Sequence, residues 1–364
     1  MCAAAATDYR YLSYEADLKG MKTDVGFHPV GIALFGLGRI GTIHLEKIMC
    51  NPRAELLYCV EASRARGDYV HDKWKLSNTR MLTPPESDVV FSDPRVIAVV
   101  ICTPTYSHEL LVKKALETGK AVLCEKPLSL SREGAAECYE AASKAGKPLL
   151  CAFNRRFDPG FKNIKDRVER GDVGQVQVVK TCSRDSPQPS IEYIKTSGGI
   201  FHDCAIHDID LICWILGELP ISVSAHSHAF NSLFKGIDDF DTVGIMMKFR
   251  SGVISLIDLS RCAVYGYDQR LEVFGSKGMV SSGDVRPTGV VSHCSNGTTA
   301  VPIYYSFASR YGDAYSFEID HFLDTVQGLS EVEIRPHDTY ATSKIASACE
   351  ESARTGKLVT ISWD

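Results

Sequence analysis

The 364-residue chain has no Cys-x-x-Cys pair, no marked charge excess, no apolar run of membrane-spanning length and no internal repeat. Each absence removes a class of protein. The thirteen cysteines stand singly, among them Cys50, Cys59, Cys102, Cys124, Cys151, Cys204 and Cys213, mostly inside apolar segments. That usage argues against a zinc module and points to reduced, buried thiols in a cytoplasmic protein. Forty Lys and Arg against 45 Asp and Glu leave a net charge of −5, which gives neither nucleic acid nor a membrane surface a reason to bind. The N-terminus lacks the basic start and apolar core of a secretory signal. Residues 1–28 read as an extension before the first domain.

The length exceeds what one core normally supports, so two domains are expected: a dinucleotide-binding unit at 29–150 and a substrate-binding and oligomerisation unit at 151–364. The first alternates strands and helices, as in a doubly wound parallel sheet. Its opening strand runs into Gly36-Leu37-Gly38-Arg39-Ile40-Gly41 and then a helix, the context in which a glycine-rich turn cradles a pyrophosphate. Gly36 permits the tight turn, Gly38 the approach of the backbone to the anion, and Gly41 close helix–strand packing. Glu61 ends the second apolar run twenty positions after Gly41, where an acidic side chain would bond the adenosine ribose. It favours NAD over NADP, whose 2′-phosphate it would repel. Arg64 and Arg66 are expected at a solvated helix start.

Two further strands end in polar residues that border the crevice of such a sheet. One delivers Thr103, Pro104 and His108; the other delivers Glu125 and Lys126, with Pro127 holding Lys126 extended. Beyond about residue 170 the runs become β-branched and hairpin-connected (Val176–Lys180, Ser222–Ser227, Asp241–Phe249, Val253–Leu259, Gln269–Phe274, Met279–Ser281). They predict a large, open, mainly antiparallel sheet in an α+β second domain.

Residues 197–217, SGGIFHDCAIHDIDLICWILG, carry charge inside an apolar run. On one helix, at about 100° per residue, Asp203, His207, Asp210 and Trp214 share a face and Ile209, Ile212, Cys213 and Leu216 the opposite one. Asp208 falls off the stripe and is expected in solvent. The pattern suits either a self-satisfied Asp–His pair or the polar wall of a site.

Taken together, the nucleotide motif, the strand ending Glu125-Lys126-Pro127 and the 197–210 block resemble the Gfo/Idh/MocA oxidoreductase family, most closely its inositol 2-dehydrogenase branch. Supporting blocks are Phe153–Pro159, Ser183–Asp185, Ile191–Gly199 and Ala263–Arg270. The resemblance implies a catalytic group of Lys126, Asp203 and His207. His207 would be the general base for a secondary alcohol. Lys126 would stabilise alkoxide charge, and Asp203 would bond substrate or orient the imidazole. Asp210 would hold the histidine or a neighbour.

The same resemblance implies substrate contacts at Lys126, Arg155, Asp203, His207, Tyr267 and Tyr315, with Arg184 and Asp185 as weaker candidates. It implies NAD as cofactor, a polyol (most simply myo-inositol) as substrate, and a homodimer or homotetramer. Local alternatives are an Arg155–Asp158 ion pair and Tyr265 or Tyr267 as core aromatics. Alternative functions are a sister dehydrogenase for scyllo-inositol or a sugar, a non-catalytic dinucleotide-binding regulator, and a metal-dependent lyase or hydrolase using Asp203, His207 and Asp208. No metal is expected, and His226 and His228 read as solvated or sheet-packed.

Overall fold

The computed structural model describes residues 29–363; the extension expected at 1–28 lies outside them. Six strands, β1 (Val30–Phe35), β2 (Ala54–Val60), β3 (Arg80–Leu82), β4 (Ala98–Ile101), β5 (Ala121–Glu125) and β6 (Leu149–Ala152), form a wholly parallel sheet in the order β3-β2-β1-β4-β5-β6. Every residue of β1, β4 and β6 is buried, as continuous apolar runs require when helices cover both faces. The connecting helices carry their own stop signals. In the helix Arg132–Ala145 the Ser131 hydroxyl accepts from the Gly134 amide, and Gly146 closes it in the left-handed region at φ 59°, a conformation that costs glycine nothing. Strand order reverses between β1 and β4, which opens a crevice at their carboxyl ends.

The second sheet contains β7 (Val176–Arg184), β8 (Pro220–His228), β9 (Thr242–Phe249), β10 (Ile254–Ser260), β11 (Asp268–Gly275) and β12 (Gly278–Ser282). An exposed hairpin of β13 (Val291–Cys294) and β14 (Gly297–Ala300) follows, and β15 (Val359–Thr360) closes one edge of the large sheet. The order is β12-β11-β7-β10-β9-β8-β15, with β7 and β10 parallel and the other pairs antiparallel. In β9, buried Val243, Ile245, Met247 and Phe249 alternate with exposed Gly244, Met246 and Lys248, the pattern of a sheet with one covered face. The helices Ile206–Leu216 and Pro336–Thr355 supply that cover. The opposite face leaves Met246, Ile254, Phe274 and Met279 exposed. Strands β13 and β14 give no sequence signal because every residue in them is exposed and no periodicity is selected.

The end of the chain returns to the first sheet. Ile319, Phe322, Leu323 and Ile334 join the core of the parallel layer. Asn51 donates to Asp320 at 2.7 Å, and the Tyr139 and Thr339 hydroxyls bond at 2.6 Å. Every cysteine among the described residues is a free thiol, most of them buried. Among those residues no helix is long and apolar enough to cross a membrane.

Glu318, on the helix Gly312–Val326, is fully buried, with neither carboxylate oxygen hydrogen-bonded among the described residues. Burial, reinforced by the Glu125 charge, pushes its carboxyl well above the usual range. The folded protein therefore keeps a proton that the unfolded chain releases above pH ~4.3, so this group's contribution to stability is complete below that pH and is lost as pH rises. Glu318→Gln should raise Tm at pH 8 relative to wild type, by about 2–4 °C for each kcal/mol recovered, with the gap closing towards pH 5. Thermal melts across that range test it; a gap independent of pH removes the proton from Glu318.

Candidate active site

The glycine turn is built for close approach. Gly36 has φ +87°, and a Cβ there would lie 2.6 Å from the Cys102 carbonyl oxygen. A Cβ on Gly41 would lie 2.0 Å from the Gly36 oxygen. A Cβ on Gly38, by contrast, would meet nothing within 4 Å. Gly38 caps the helix Arg39–Met49, whose first amides, beginning at Arg39 and Ile40, have no intrahelical acceptor. Bare backbone at a helix N-terminus facing open space fits a dinucleotide pyrophosphate.

Glu61 follows β2, with Oε2 accepting from the Leu37 amide at 2.7 Å and Oε1 from the Ser63 amide at 2.9 Å. Arg66 lies at the expected helix start, half-buried, and its Nε donates to the Leu37 carbonyl at 2.8 Å. The Ser63 hydroxyl accepts from the Arg66 amide, and Glu61 and Arg66 between them hold the N–H and the C=O of Leu37. Arg64 is exposed.

Thr103 and Pro104 follow β4 at the crevice. The His108 ring is buried, with Nε2 2.7 Å from the Thr103 carbonyl and Nδ1 2.8 Å from the Pro127 carbonyl. Both nitrogens are occupied, so His108 serves the crevice by bracing the ends of β4 and β5 together. Glu125 accepts from His44 Nε2 at 2.8 Å and from the Lys126 amide at 3.3 Å.

Lys126 Nζ donates to the Asp203 carbonyl oxygen at 2.8 Å and to Asp203 Oδ1 at 3.1 Å. Oδ1 also accepts from the Tyr193 hydroxyl at 2.8 Å, and Oδ2 from Arg261 Nη1 at 3.0 Å. Asp203 lies in a π-helical turn, Phe201–Ala205, ahead of the helix Ile206–Leu216, so a uniform 100° step does not describe its start. No hydrogen bond joins Asp203 to His207 among the described residues. The His207 ring is partly exposed, while its Nδ1 is sealed from solvent without a partner among the described residues. Burial, then the charges of Lys126 and Arg155, push the imidazole well below its ordinary value, against the pull of Asp203. His207 is therefore a neutral imidazole at physiological pH, near three charged groups.

The rest of the stripe divides. Asp208 is not solvated: it is fully buried, 3.1 Å from Arg155 Nη1, and accepts from the Ser183 hydroxyl at 2.7 Å. Asp210 accepts from Arg156 through both oxygens, at 2.9 and 2.6 Å, so the neighbour it holds is an arginine rather than the histidine. Trp214 Nε1 donates to Glu333 at 2.8 Å. The helix is buried from Ile206 to Ile215 apart from His207, so none of these acids could reach water.

Arg155 does not pair with Asp158. Asp158 caps the helix Pro159–Glu169 and bonds Arg310 at 2.6 Å. Tyr267 and Tyr315 are both buried; Tyr267 stands edge-on to Tyr311 at 5.9 Å and Tyr315 edge-on to His44 at 5.6 Å. Arg184 turns to Asp258 and Tyr265, away from this cluster. Asp185 has its carboxyl pushed up to about 6 by burial and the Asp203 charge. His226 and His228 are exposed on β8. Tyr193 and Arg261 were not singled out from the sequence; Tyr193 sits inside the Ile191–Gly199 block, and Arg261 two residues before Ala263, so their neighbourhood was the only signal.

Two family models match the chain: an NAD-binding Rossmann-fold oxidoreductase domain over residues 30–153 and a GFO/IDH/MocA C-terminal domain over residues 161–281. The chain is 40% identical over 298 residues to a Thermotoga maritima myo-inositol 2-dehydrogenase, covering 81% of this chain and 88% of that one. It is 33% identical over 341 residues to a Bacillus subtilis scyllo-inositol 2-dehydrogenase (NAD(+)), covering 92% and 97%. The crystal structure of a myo-inositol dehydrogenase from Corynebacterium glutamicum superposes with a TM-score of 0.84 at 34% identity, covering 93% and 100%.

Proposed function

From the premise that the chain belongs to the Gfo/Idh/MocA family of NAD-binding oxidoreductases acting on CH–OH groups, we propose that it oxidises myo-inositol to 2-keto-myo-inositol. The observation that carries this reading is the convergence of Lys126 and a neutral His207 on one crevice beside the Gly36–Gly41 turn. His207 takes the proton of the secondary alcohol, because a neutral imidazole can accept what an imidazolium cannot. The Lys126 ammonium faces the alkoxide oxygen as charge develops there. Bound NAD supplies the hydride acceptor. Arg155, Tyr267 and Tyr315 are the side chains assigned to the ring hydroxyls.

Gly36, Gly38, Arg39, Ile40, Gly41, Glu61, Thr103 and Pro104 would hold the dinucleotide, with His108 and Glu125 acting through the segments they brace. The Glu61 carboxylate, which would repel a 2′-phosphate, supports NAD over NADP. The uncovered outer face of the second sheet supports a homo-oligomer, and the free thiols support a cytoplasmic setting. We take as working halves those expected at 29–150 and 151–364, with the boundary moved past β6 (Leu149–Ala152).

The test is reduced-nicotinamide formation by purified protein with myo- and scyllo-inositol, run with NAD and NADP in parallel. The expected result is preference for myo-inositol with NAD. Preference for scyllo-inositol moves the substrate within the same chemistry, and no turnover of any cyclitol or sugar, with NAD bound, favours a regulator. In the same assay Glu61→Ala should weaken NAD more than NADP; equal weakening undoes the ribose assignment.

A further inference from the structure

Arg261, immediately after β10, is among the largest fully buried side chains in the molecule. A guanidinium that leaves water entirely is strongly destabilising unless ion pairs and hydrogen bonds replace its hydration. Here Nη1 donates to Asp203 Oδ2 at 3.0 Å and reaches the Cys204 sulfur at 3.3 Å. Nη2 stands 3.3 Å from Asp239 Oδ2 and 3.5 Å from the Ser197 hydroxyl, and Nε has no partner among the described residues. Asp239 in turn accepts from the Ile200 amide at 3.0 Å. The planar fork thus spans the entry and exit of the segment from Ser197 to Asp203, which a point-charge lysine does not match.

We propose that Arg261 is a positioning residue for the reaction: by holding Oδ2 of Asp203 it keeps that oxygen away from Lys126 and so preserves one ammonium N–H for the substrate hydroxyl. An ammonium has three N–H groups. Two are engaged, by the Asp203 carbonyl oxygen and by Oδ1, which leaves one for substrate. Without the guanidinium, the buried Oδ2 would keep only the weak Cys204 thiol donor at 3.8 Å, and the remaining ammonium proton would be drawn to it. The groups around Asp203 are Lys126 from the end of β5, Tyr193 from the short helix Ile191–Ile194, Asp185 beyond β7, Arg261 beyond β10, and Cys204 and His207 on its own segment. Arg39 of the glycine turn lies against the Tyr193 ring at 4.9 Å. Burial would raise the Asp203 carboxyl, but Lys126 and then Arg261 hold it well below the carboxylate range.

This inference rests on the assignment of Lys126 and His207, and the experiment separates the two. Full-length Arg261→Met, Arg261→Lys and Asp239→Asn are assayed with the cyclitol the wild type turns over. Arg261→Met should lower kcat about 10–100-fold, the scale of a displaced reacting group, with the KM for NAD within about twofold of wild type. Its acid limb of kcat should move to higher pH, because Asp203 has lost a cation and protonates earlier as pH falls. Arg261→Lys should recover part of kcat. Asp239→Asn, which frees the second arm without removing the guanidinium, should lower kcat by a smaller factor and covers the case in which Arg261→Met fails to fold. Wild-type kcat and pH profile in folded Arg261→Met, or in Asp239→Asn where it alone folds, overturn the role of Arg261 while inactivity of a Lys126 variant leaves the site assignment standing. Full activity of the Lys126 variant removes both.

Discussion

Replacing Lys126 by methionine should lower kcat about 10³-fold or more while NAD still binds. Methionine keeps much of the stem length and removes the ammonium. Asp203 remains paired with Arg261 and bonded by Tyr193, so its buried charge is not orphaned and the fold should survive. What disappears is the cation facing the developing alkoxide, an interaction whose removal costs on the order of 10²–10³ in kcat. The loss of Asp203 placement around the missing ammonium adds to that. Steady-state kinetics with a separate measurement of NAD binding check this. A folded variant within tenfold of wild-type kcat would strip Lys126 of any part in the chemistry.

His207→Asn should cost about 10²–10⁴ in kcat, the range for a positioned general base, again with NAD affinity retained. Its pH signature is more discriminating. The imidazole is held well below its ordinary value of 6.5 by burial, Lys126 and Arg155. A base works only unprotonated, and a lowered pKa postpones its protonation to lower pH. The acid limb of kcat/KM belonging to His207 should therefore lie well below pH 6.5, and Arg155→Met should move it upward, because a repelling cation has gone. A limb at or above 6.5 that His207→Asn abolishes would contradict the buried, cation-flanked setting of the ring.

Local chemistry was legible in the sequence, and long-range partnership was not. Gly36 and Gly41 announce themselves because the positive φ of Gly36 and the approach of Gly41 to the Gly36 carbonyl lie within the turn itself. Glu125 and Lys126 are legible because an apolar parallel strand can deliver polar residues only at its end. Asp203 and His207 are legible as types in a motif, but their partners are not: Arg261 lies 58 residues from Asp203 in sequence.

Asp208 and Asp210 show the limit of amphipathic reasoning. The stripe argument assumes a helix with one wet face, whereas this one is enclosed on nearly every side. Its acids are accommodated by Arg155 and Arg156, 53 and 54 residues upstream, which no periodicity encodes. The acceptor of Arg66 Nε, a loop carbonyl 29 residues away, is equally invisible to periodicity.

The parallel sheet is begun first on the ribosome and finished last. Its strands are complete by Ala152, yet four side chains of its core, Ile319, Phe322, Leu323 and Ile334, are translated more than 160 residues later. Emerging at about 5–20 residues per second, the nucleotide-binding layer waits roughly ten to thirty seconds with part of its apolar surface open before its own chain returns to close it. For that interval the nascent half is a client for chaperones, and a fragment cut after Phe153 would keep that exposed surface permanently.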